Sequence, residues 1–236
     1  MSPPTVQFIP SNGGTFLPTD ISGCVGWFDA SDSSTITIST GVSDWSNRGT
    51  DAGITYAQLD TTQQPAYTNT LNALNVISFD GYNDEFDGAL SSGLSSVSLF
   101  IVASTTDTAF NYINVGGGRY SDIAQSGSSS TALSSGFGTP TRYLTGNTTS
   151  WTTRNDVYLA LTAGAHIYEA IGCDLSLWTG YTLGGVFKML GDIAEVIFYD
   201  SSLGSTDREK VEGYLAHKWG LTAGLPVSHP YKSSAP

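Results

Sequence analysis

The chain is 236 residues long, a length that single β-sandwich domains commonly reach. Charged residues make up only 13% of it, against a usual share of roughly a quarter. The net charge is −12 and no stretch clusters Lys or Arg, which argues against nucleic acid and anionic membranes as partners. The longest apolar runs are far shorter than the roughly 18 residues that suggest a membrane span. The composition therefore predicts one large domain with a polar, weakly charged surface.

The N-terminal residues and the two cysteines indicate the cellular compartment in which the protein is made. The first residues lack the basic region and the apolar region of a signal peptide, so we expect no secretion signal. Cys24 and Cys173 have no metal-type spacing. In a chain without a secretion signal, buried thiols are favoured over a bridge, although the sequence leaves their redox state open.

Residues 1–22 carry four prolines and two adjacent glycines, which block regular strand pairing and favour an extended arm. The apolar side chains of Val6, Phe8, Ile9 and Phe16 give this arm contacts to make. One interpretation is an edge that wraps over its own domain. The other is a docking arm that lies on a neighbouring subunit and makes the assembly contact.

Residues 23–220 alternate short β-branched or aromatic runs with turn residues, the pattern of an antiparallel two-sheet structure. The run at residues 97–103 loses the alternation, which predicts a central strand covered on both faces. Gly- and Ser-rich segments within residues 116–150 predict long turns around weak strands. The predicted strands are residues 25–28, 35–38, 74–79, 97–103, 110–115, 157–162, 166–171 and 188–199.

One helix is predicted, at residues 206–219. Thr206 followed by Glu209 fits a capping box, and Gly220 follows as a stop signal. An apolar stripe at helical spacing predicts that this helix packs on the outer face of a sheet. Residues 221–236, with three prolines, are predicted to form an extended tail. The stripe consists of Val211, Tyr214, Leu215 and Trp219.

The strand that precedes the helix is apolar on both faces, as expected if the other sheet covers its inner face and the helix covers its outer face. Glu195, in the middle of this strand, then lies in a shielded setting where it should be hydrogen-bonded. Strict alternation assigns its neighbours as follows: Ala194, Val196 and Phe198 inside, and Ile193, Ile197 and Tyr199 outside.

Six segments resemble the LamG-type members of the concanavalin A-like lectin/glucanase family: residues 20–32, 42–47, 79–84, 191–199, 207–221 and 228–231. The resemblance implies an all-β, two-sheet antiparallel jelly-roll sandwich, here with one C-terminal helix packed on its outer face. Domains of this kind occur in bacterial surface proteins and in structural proteins of tailed phages, so the family implies recognition or assembly.

The arm, the low charge and the lack of a secretion signal favour the phage setting within that family. The expected protein is a virion component made in the host cytoplasm, such as a capsid decoration, head-fibre or tail-associated protein. Its expected partners are capsid or tail proteins of the same virion, host surface glycans and, in a homo-oligomer, other copies of the chain. A carbohydrate-binding lectin-like module is the alternative.

The carboxylates needed for glycan cleavage are incomplete. Glucanases of this broad fold carry Glu-x-Asp-x-x-Glu on one strand; the nearest match starts with Glu85 and Asp87, and Leu90 takes the third position. The three histidines have neither metal-ligand spacing nor a nucleophile motif beside them. We therefore expect no enzymatic activity and no required cofactor, and a glycan-cleaving hydrolase is the least favoured alternative.

The resemblance also bears on structural calcium, which many LamG-like domains bind. Asp80 and Asp192 are the positions carried over from the family, and both lie at predicted strand ends where oxygen ligands could converge. The alternative is that these Asp side chains cap turns by bonding their own backbone.

Glycan binding needs exposed aromatic faces beside hydrogen-bonding side chains. Four aromatic residues in or near turn-rich stretches are candidates for such contacts: Tyr82, Trp151, Trp178 and Tyr181. The alternative for each of them is a place in the core, where aromatic residues of a sandwich commonly lie.

Overall fold

The computed structural model describes residues 15–91, 93–105, 112–114, 122–125, 138–176, 181–184 and 189–236, with the side chains of 112–114, 122–125 and 181 left out. Val6, Phe8, Ile9 and Trp178 lie outside the described residues. Within those residues, no helix has the length and apolar character needed to cross a membrane.

The described residues form sixteen strands and two α-helices, so the chain is mostly β. The strands are β1 (Cys24–Asp29), β2 (Ile36–Ile38), β3 (Val42–Trp45), β4 (Thr55–Ala57), β5 (Thr70–Leu71), β6 (Leu74–Asn75), β7 (Ile77–Asp80), β8 (Phe86–Ala89), β9 (Val97–Thr105), β10 (Tyr112–Asn114), β11 (Asp122–Gln125), β12 (Thr141–Leu144), β13 (Asn147–Thr148), β14 (His166–Cys173), β15 (Tyr181–Leu183) and β16 (Leu190–Tyr199). The helices are α1 (Arg154–Thr162) and α2 (Ser205–Lys218).

Two antiparallel sheets face each other across an apolar core, which confirms the predicted β-sandwich character. The larger sheet has the order β1-β16-β9-β14-β12-β13, with β7 also paired to β16, and the smaller sheet has the order β15-β8-β4-β3-β2. The core between them contains Phe28 and Val196 from the larger sheet and Trp45, Tyr56 and Phe86 from the smaller one. Strand β9 lies between β16 and β14 and is buried on both faces, as predicted.

Helix α2 covers the outer face of the larger sheet, which confirms the predicted packing. Val211, Leu215 and Trp219 are buried there in a second apolar cluster. The predicted capping box is wrong: the helix starts at Ser205, and its N-cap Gly204 makes no side-chain cap bond. The predicted side-chain cap is absent because the N-cap residue is a glycine, which has no side chain to accept a backbone N–H.

The predicted alternation along β16 is right for residues 196–199 and wrong for Ile193 and Ala194. Ile193 lies in the core between the sheets, and Ala194 lies on the α2 side. A bulge in the pairing with β9, between Ile193 and Glu195, adds one residue to β16. The extra residue reverses the faces on its N-terminal side and leaves both Ala194 and Glu195 directed toward α2.

Residues 157–162, predicted as a strand, belong instead to helix α1. Its N-cap Thr153 accepts the N–H of Asp156 at 3.2 Å, and Asp156 accepts the N–H of Thr153 at 2.8 Å. Val157 and Leu161, one helical turn apart, are buried in the core between the sheets. The protein therefore has a second helix besides the predicted C-terminal one.

The described parts of both terminal segments pack onto the sandwich. Phe16 makes an edge-to-face contact with Tyr214, with ring centroids 6.0 Å apart, and Tyr199 donates its hydroxyl to the carbonyl of Pro18 at 2.9 Å. After α2, the chain forms a short 3-10 turn, Thr222–Gly224, and buries Leu225. Residues 16–21 and 221–225 are thus part of the folded body.

Candidate functional site

Residues from three of the segments that carry the family resemblance lie at or beside Glu195. Trp27 and Asp29 lie on β1, which pairs with β16 so that Asp29 is opposite Glu195. Tyr214 and Lys218 lie on α2, and Trp219 is its C-cap residue. We call the group formed by Trp27, Asp29, Arg48, Glu195, Tyr214, Lys218 and Trp219 the Glu195 cluster.

Glu195 is 1% exposed and accepts four hydrogen bonds from side chains. Its Oε1 accepts Trp27 Nε1–H at 2.7 Å and the Tyr214 hydroxyl at 2.9 Å. Its Oε2 accepts Trp219 Nε1–H at 2.7 Å and Lys218 Nζ at 2.8 Å. A carboxylate has about four acceptor positions, so no position is left for a water molecule or a substrate.

The remaining charges of this cluster pair with one another. Lys218 Nζ lies 2.6 Å from Asp29 Oδ1, and Arg48 donates to Asp29 Oδ2 at 3.0 Å. The Arg48 guanidinium also stacks over the ring of Trp27, 3.8 Å from its centroid. Burial raises the pKa of Glu195, and the nearby Lys218 lowers it. These ion pairs fasten α2 to the sheet, and Asp32 Oδ2 lies a further 3.4 Å from Arg48.

A second group of buried charges lies under the same helix, and the sequence did not predict it. We call Glu169, Arg208, Glu212 and His229 the Glu212 cluster. Arg208 forms an ion pair with Glu212 and lies 3.8 Å from Glu169 Oε2, while His229 Nε2 lies 2.9 Å from Glu212 Oε2. Burial, followed by the neighbouring Glu212, raises the pKa of Glu169 well above its ordinary value. The only sequence signal was the i,i+4 spacing of Arg208 and Glu212.

Next to the Glu195 cluster lies a pocket of about 390 Å³, where the described part of the N-terminal segment meets α2 and the C-terminus. Phe16, predicted as an assembly contact, forms one wall, and Pro236 forms part of another. The polar side chains of this pocket, such as Lys218 and Asp29, are already paired with each other. Thr15, the first described residue, also lines this pocket.

A second pocket, of about 440 Å³, lies along the β12–β13 hairpin and contains Trp151, predicted as a glycan contact. Trp151 is partly buried, and its ring is nearly parallel to that of Tyr168, at 4° with centroids 6.2 Å apart. We call this the Trp151 pocket. Its lining residues are Leu144, Thr145, Asn147, Thr148, Thr149, Ser150, Trp151, His166 and Gly224.

The other predicted glycan contacts are not part of the Trp151 pocket as described. Tyr82 is 69% exposed in the turn after β7. Trp178 lies outside the described residues, and the side chain of Tyr181 is not described; the backbone of Tyr181 pairs with Gly88 of β8.

Asp80 and Asp192, the predicted calcium ligands, are both hydrogen-bonded in the structure. Asp80 Oδ1 accepts the N–H groups of Tyr82 at 2.7 Å and Asn83 at 3.1 Å, as a turn-capping side chain does. Asp192 Oδ1 accepts the Ser78 hydroxyl at 2.6 Å. Across the described residues, no group of three or more His, Cys, Asp and Glu side chains is placed to hold a metal ion. Calcium binding at these positions stays a prediction.

Both cysteines are free and buried, the arrangement that the sequence favoured. Burial raises the pKa of Cys24 and of Cys173 to about 12, so both are protonated thiols at neutral pH.

Comparison with known proteins returns no match among family models, curated proteins or solved structures.

Proposed function

We propose that the chain is a non-enzymatic structural protein of a virion, such as a capsid decoration, head-fibre or tail-associated protein. In this proposal its sandwich is a LamG-type concanavalin A-like jelly roll. The observation that carries the proposal is the position of the residues that resemble this family. Trp27, Glu195 and Trp219 meet in a buried, fully hydrogen-bonded group, which is the role expected of residues that maintain a scaffold.

The surroundings of the carboxylates support a role without catalysis. A general acid or a nucleophile must reach its substrate. Glu195 has all its acceptor positions filled by side chains, and Glu169 and Glu212 are fully buried. On β8, Asp87 is exposed, but Leu90 stands where the third carboxylate of the glucanase pattern would be.

The anchoring of residues 16–21 supports the arm as the assembly contact. A contact made by residues 1–14 has a mechanical effect on the sandwich only if the chain that follows is fixed. Phe16 packs on Tyr214, Pro18 accepts a hydrogen bond from Tyr199, and Ile21 is buried. In this proposal Val6, Phe8 and Ile9 bind a capsid or tail protein, and the anchored segment transmits that attachment to the body.

The test is co-sedimentation of the full-length chain with particles of the virus that encodes it. The variant carries Val6→Ser, Phe8→Ser and Ile9→Ser. The matched control carries Leu59→Ser and Val227→Ser, two apolar residues that are 90% and 95% exposed on the body. We expect the arm variant to lose attachment by about tenfold or more, since apolar anchors dominate such contacts. Full attachment of the arm variant would place the contact on the sandwich and contradict the proposal.

A carbohydrate-binding module is a second candidate function, favoured by one observation. The Trp151 pocket combines a partly buried aromatic ring with amide and hydroxyl side chains. A virion protein that attaches through its arm can also contact host surface glycans through this pocket.

A further inference from the structure

We propose that the Trp151 pocket binds uncharged carbohydrate. This inference rests on the second candidate function and is tested apart from the particle contact, because the nine residues that line this pocket all lie between Leu144 and Gly224 in the sequence. Its volume of about 440 Å³ falls in the range of small-ligand pockets, roughly 300–1,000 Å³.

The ring of Trp151 provides the apolar surface. Trp151 is held against Tyr168 in a nearly parallel arrangement and packs on the core between the sheets. A ring fixed in this way loses little conformational entropy on binding. Its Nε1–H has no hydrogen bond in the described part of the protein, so the indole offers a donor as well as an apolar face.

Asn147 provides a fixed acceptor. The two hydrogens of its Nδ2 are shared among three carbonyls, those of Leu144 at 3.3 Å, Thr145 at 3.1 Å and Gly224 at 2.9 Å. These bonds determine the orientation of the amide and leave Oδ1 without a partner among the described residues. The hydroxyls of Thr148 and Ser150 also make no hydrogen bond within the described part of the chain.

His166 adds a neutral group to the same wall. Burial lowers the pKa of His166, so the imidazole is uncharged at neutral pH. Its Nδ1 lies 3.4 Å from Thr145 Oγ1, which already accepts the N–H of Ile167 at 3.3 Å. The Thr145 hydroxyl can donate to Nδ1 or accept from it, and in either tautomer the neutral imidazole has one donor and one acceptor nitrogen.

The charge of the pocket selects the class of ligand. None of its nine lining residues is Asp, Glu, Lys or Arg. A phosphate, sulfate or carboxylate group would lose hydration there without an opposite charge to compensate. A sugar without ionised groups matches the pocket, because its hydroxyls both donate and accept and its C–H face can lie on the indole ring.

The test is an NMR titration of the indole N–H signals of the full-length protein with defined oligosaccharides. The neutral probes are maltotetraose, cellotetraose and N-acetylglucosamine trimer, and the charged probes are sialyllactose and tetragalacturonate. We expect a neutral probe to shift the Trp151 signal in a saturable way. Trp151→Ala should weaken that binding by about tenfold or more.

A second variant separates recognition from folding. Thr148→Val keeps the β-branched shape of an exposed residue on β13 and removes only the hydroxyl. We expect about a threefold loss of affinity with unchanged melting. The matched control is Thr37→Val, at an exposed threonine on β2, which should bind as the wild type does.

Three outcomes would overturn the inference: no neutral probe binds, a charged probe binds more tightly than the neutral ones, or Trp151→Ala binds unchanged. The arm variant separates this result from that of the proposed particle contact. Sugar binding retained in a chain that has lost particle attachment would support both proposals. Particle attachment without sugar binding would overturn only this one.

Discussion

The Glu195 cluster and the Glu212 cluster lie under the same helix, and both bury carboxylates, but they differ in how those carboxylates are satisfied. Glu195 accepts two indole N–H groups, a hydroxyl and an ammonium group. In the Glu212 cluster, Glu212 pairs with Arg208 and His229, while Glu169 Oε2 lies 3.8 Å from Arg208 and has no hydrogen bond within the described part of the chain. In the first cluster every acceptor position of Glu195 is filled. In the second cluster Glu169 has too few partners, so keeping its carboxylate charged costs free energy of folding.

The difference between the clusters comes from Glu169. Apart from Arg48, the Glu195 cluster is built from segments that resemble the LamG-type family. Arg208, Glu212 and His229 of the Glu212 cluster lie in such segments too, whereas Glu169 of β14 lies outside them.

Removing the Glu195 carboxylate should have the largest effect on stability. Glu195→Ala leaves the indole N–H groups of Trp27 and Trp219 buried without their acceptor, and it removes one of the two carboxylates that pair with Lys218. Breaking a buried ion pair in this way typically costs about 3–5 kcal/mol. Urea unfolding at neutral pH measures the loss.

The matched control for this experiment is Glu209→Ala on the same helix. The Glu209 side chain is 31% exposed and lies 3.7 Å from Arg208, so its loss should cost less than about 1 kcal/mol. Equal losses for the two variants would mean that Glu195 is no more important for stability than a surface residue, and the comparison between the clusters would fail.

Replacing Glu169 should have a smaller effect on stability, and that effect should depend on pH. Burial, then the neighbouring Glu212, raises the folded-state pKa of Glu169. A carboxyl group with a raised pKa binds its proton more tightly in the folded state. Its contribution to stability is therefore fully present below its unfolded pKa of about 4.3 and is lost as the pH rises through the folded value.

Glu169→Gln, which mimics the protonated carboxyl, should reduce this loss of stability with rising pH. We expect the variant to be more stable than the wild type at pH values above the folded pKa and close to it in mild acid. Urea unfolding across this range measures the effect, with Glu209→Gln as the control whose pH profile should match the wild type. A Glu169→Gln profile parallel to that of the wild type would show that Glu169 does not titrate as the structure indicates.

The sequence predicted those parts of the fold that repeat at a regular period. The stripe along α2 and the two apolar faces of β16 identified the sandwich, the helix and the shielded position of Glu195. Helix α1 was missed because Val157, Tyr158 and Leu161 also suit a strand, and because its capping box uses Asp156 where Glu or Gln is usual. The bulge at Ala194 was missed because an apolar pattern does not record an extra residue.

The candidate sites were less accessible from the sequence than the fold. Trp151 could be selected as an aromatic residue near turns, but its neighbours His166 and Gly224 come from distant parts of the chain and are assembled only by folding. The same holds for the Glu212 cluster, in which Glu169, Glu212 and His229 come from a strand, a helix and the C-terminal tail.

The central claim is that the buried carboxylates maintain the fold, while recognition takes place on the arm and in the Trp151 pocket. The most direct test is the binding of the Glu195→Gln protein to particles and to the neutral oligosaccharide, measured well below its melting temperature. The account predicts wild-type binding by a protein of reduced stability, because Glu195 has no free acceptor position for a ligand. A Glu195→Gln protein that is folded but has lost both interactions would contradict it.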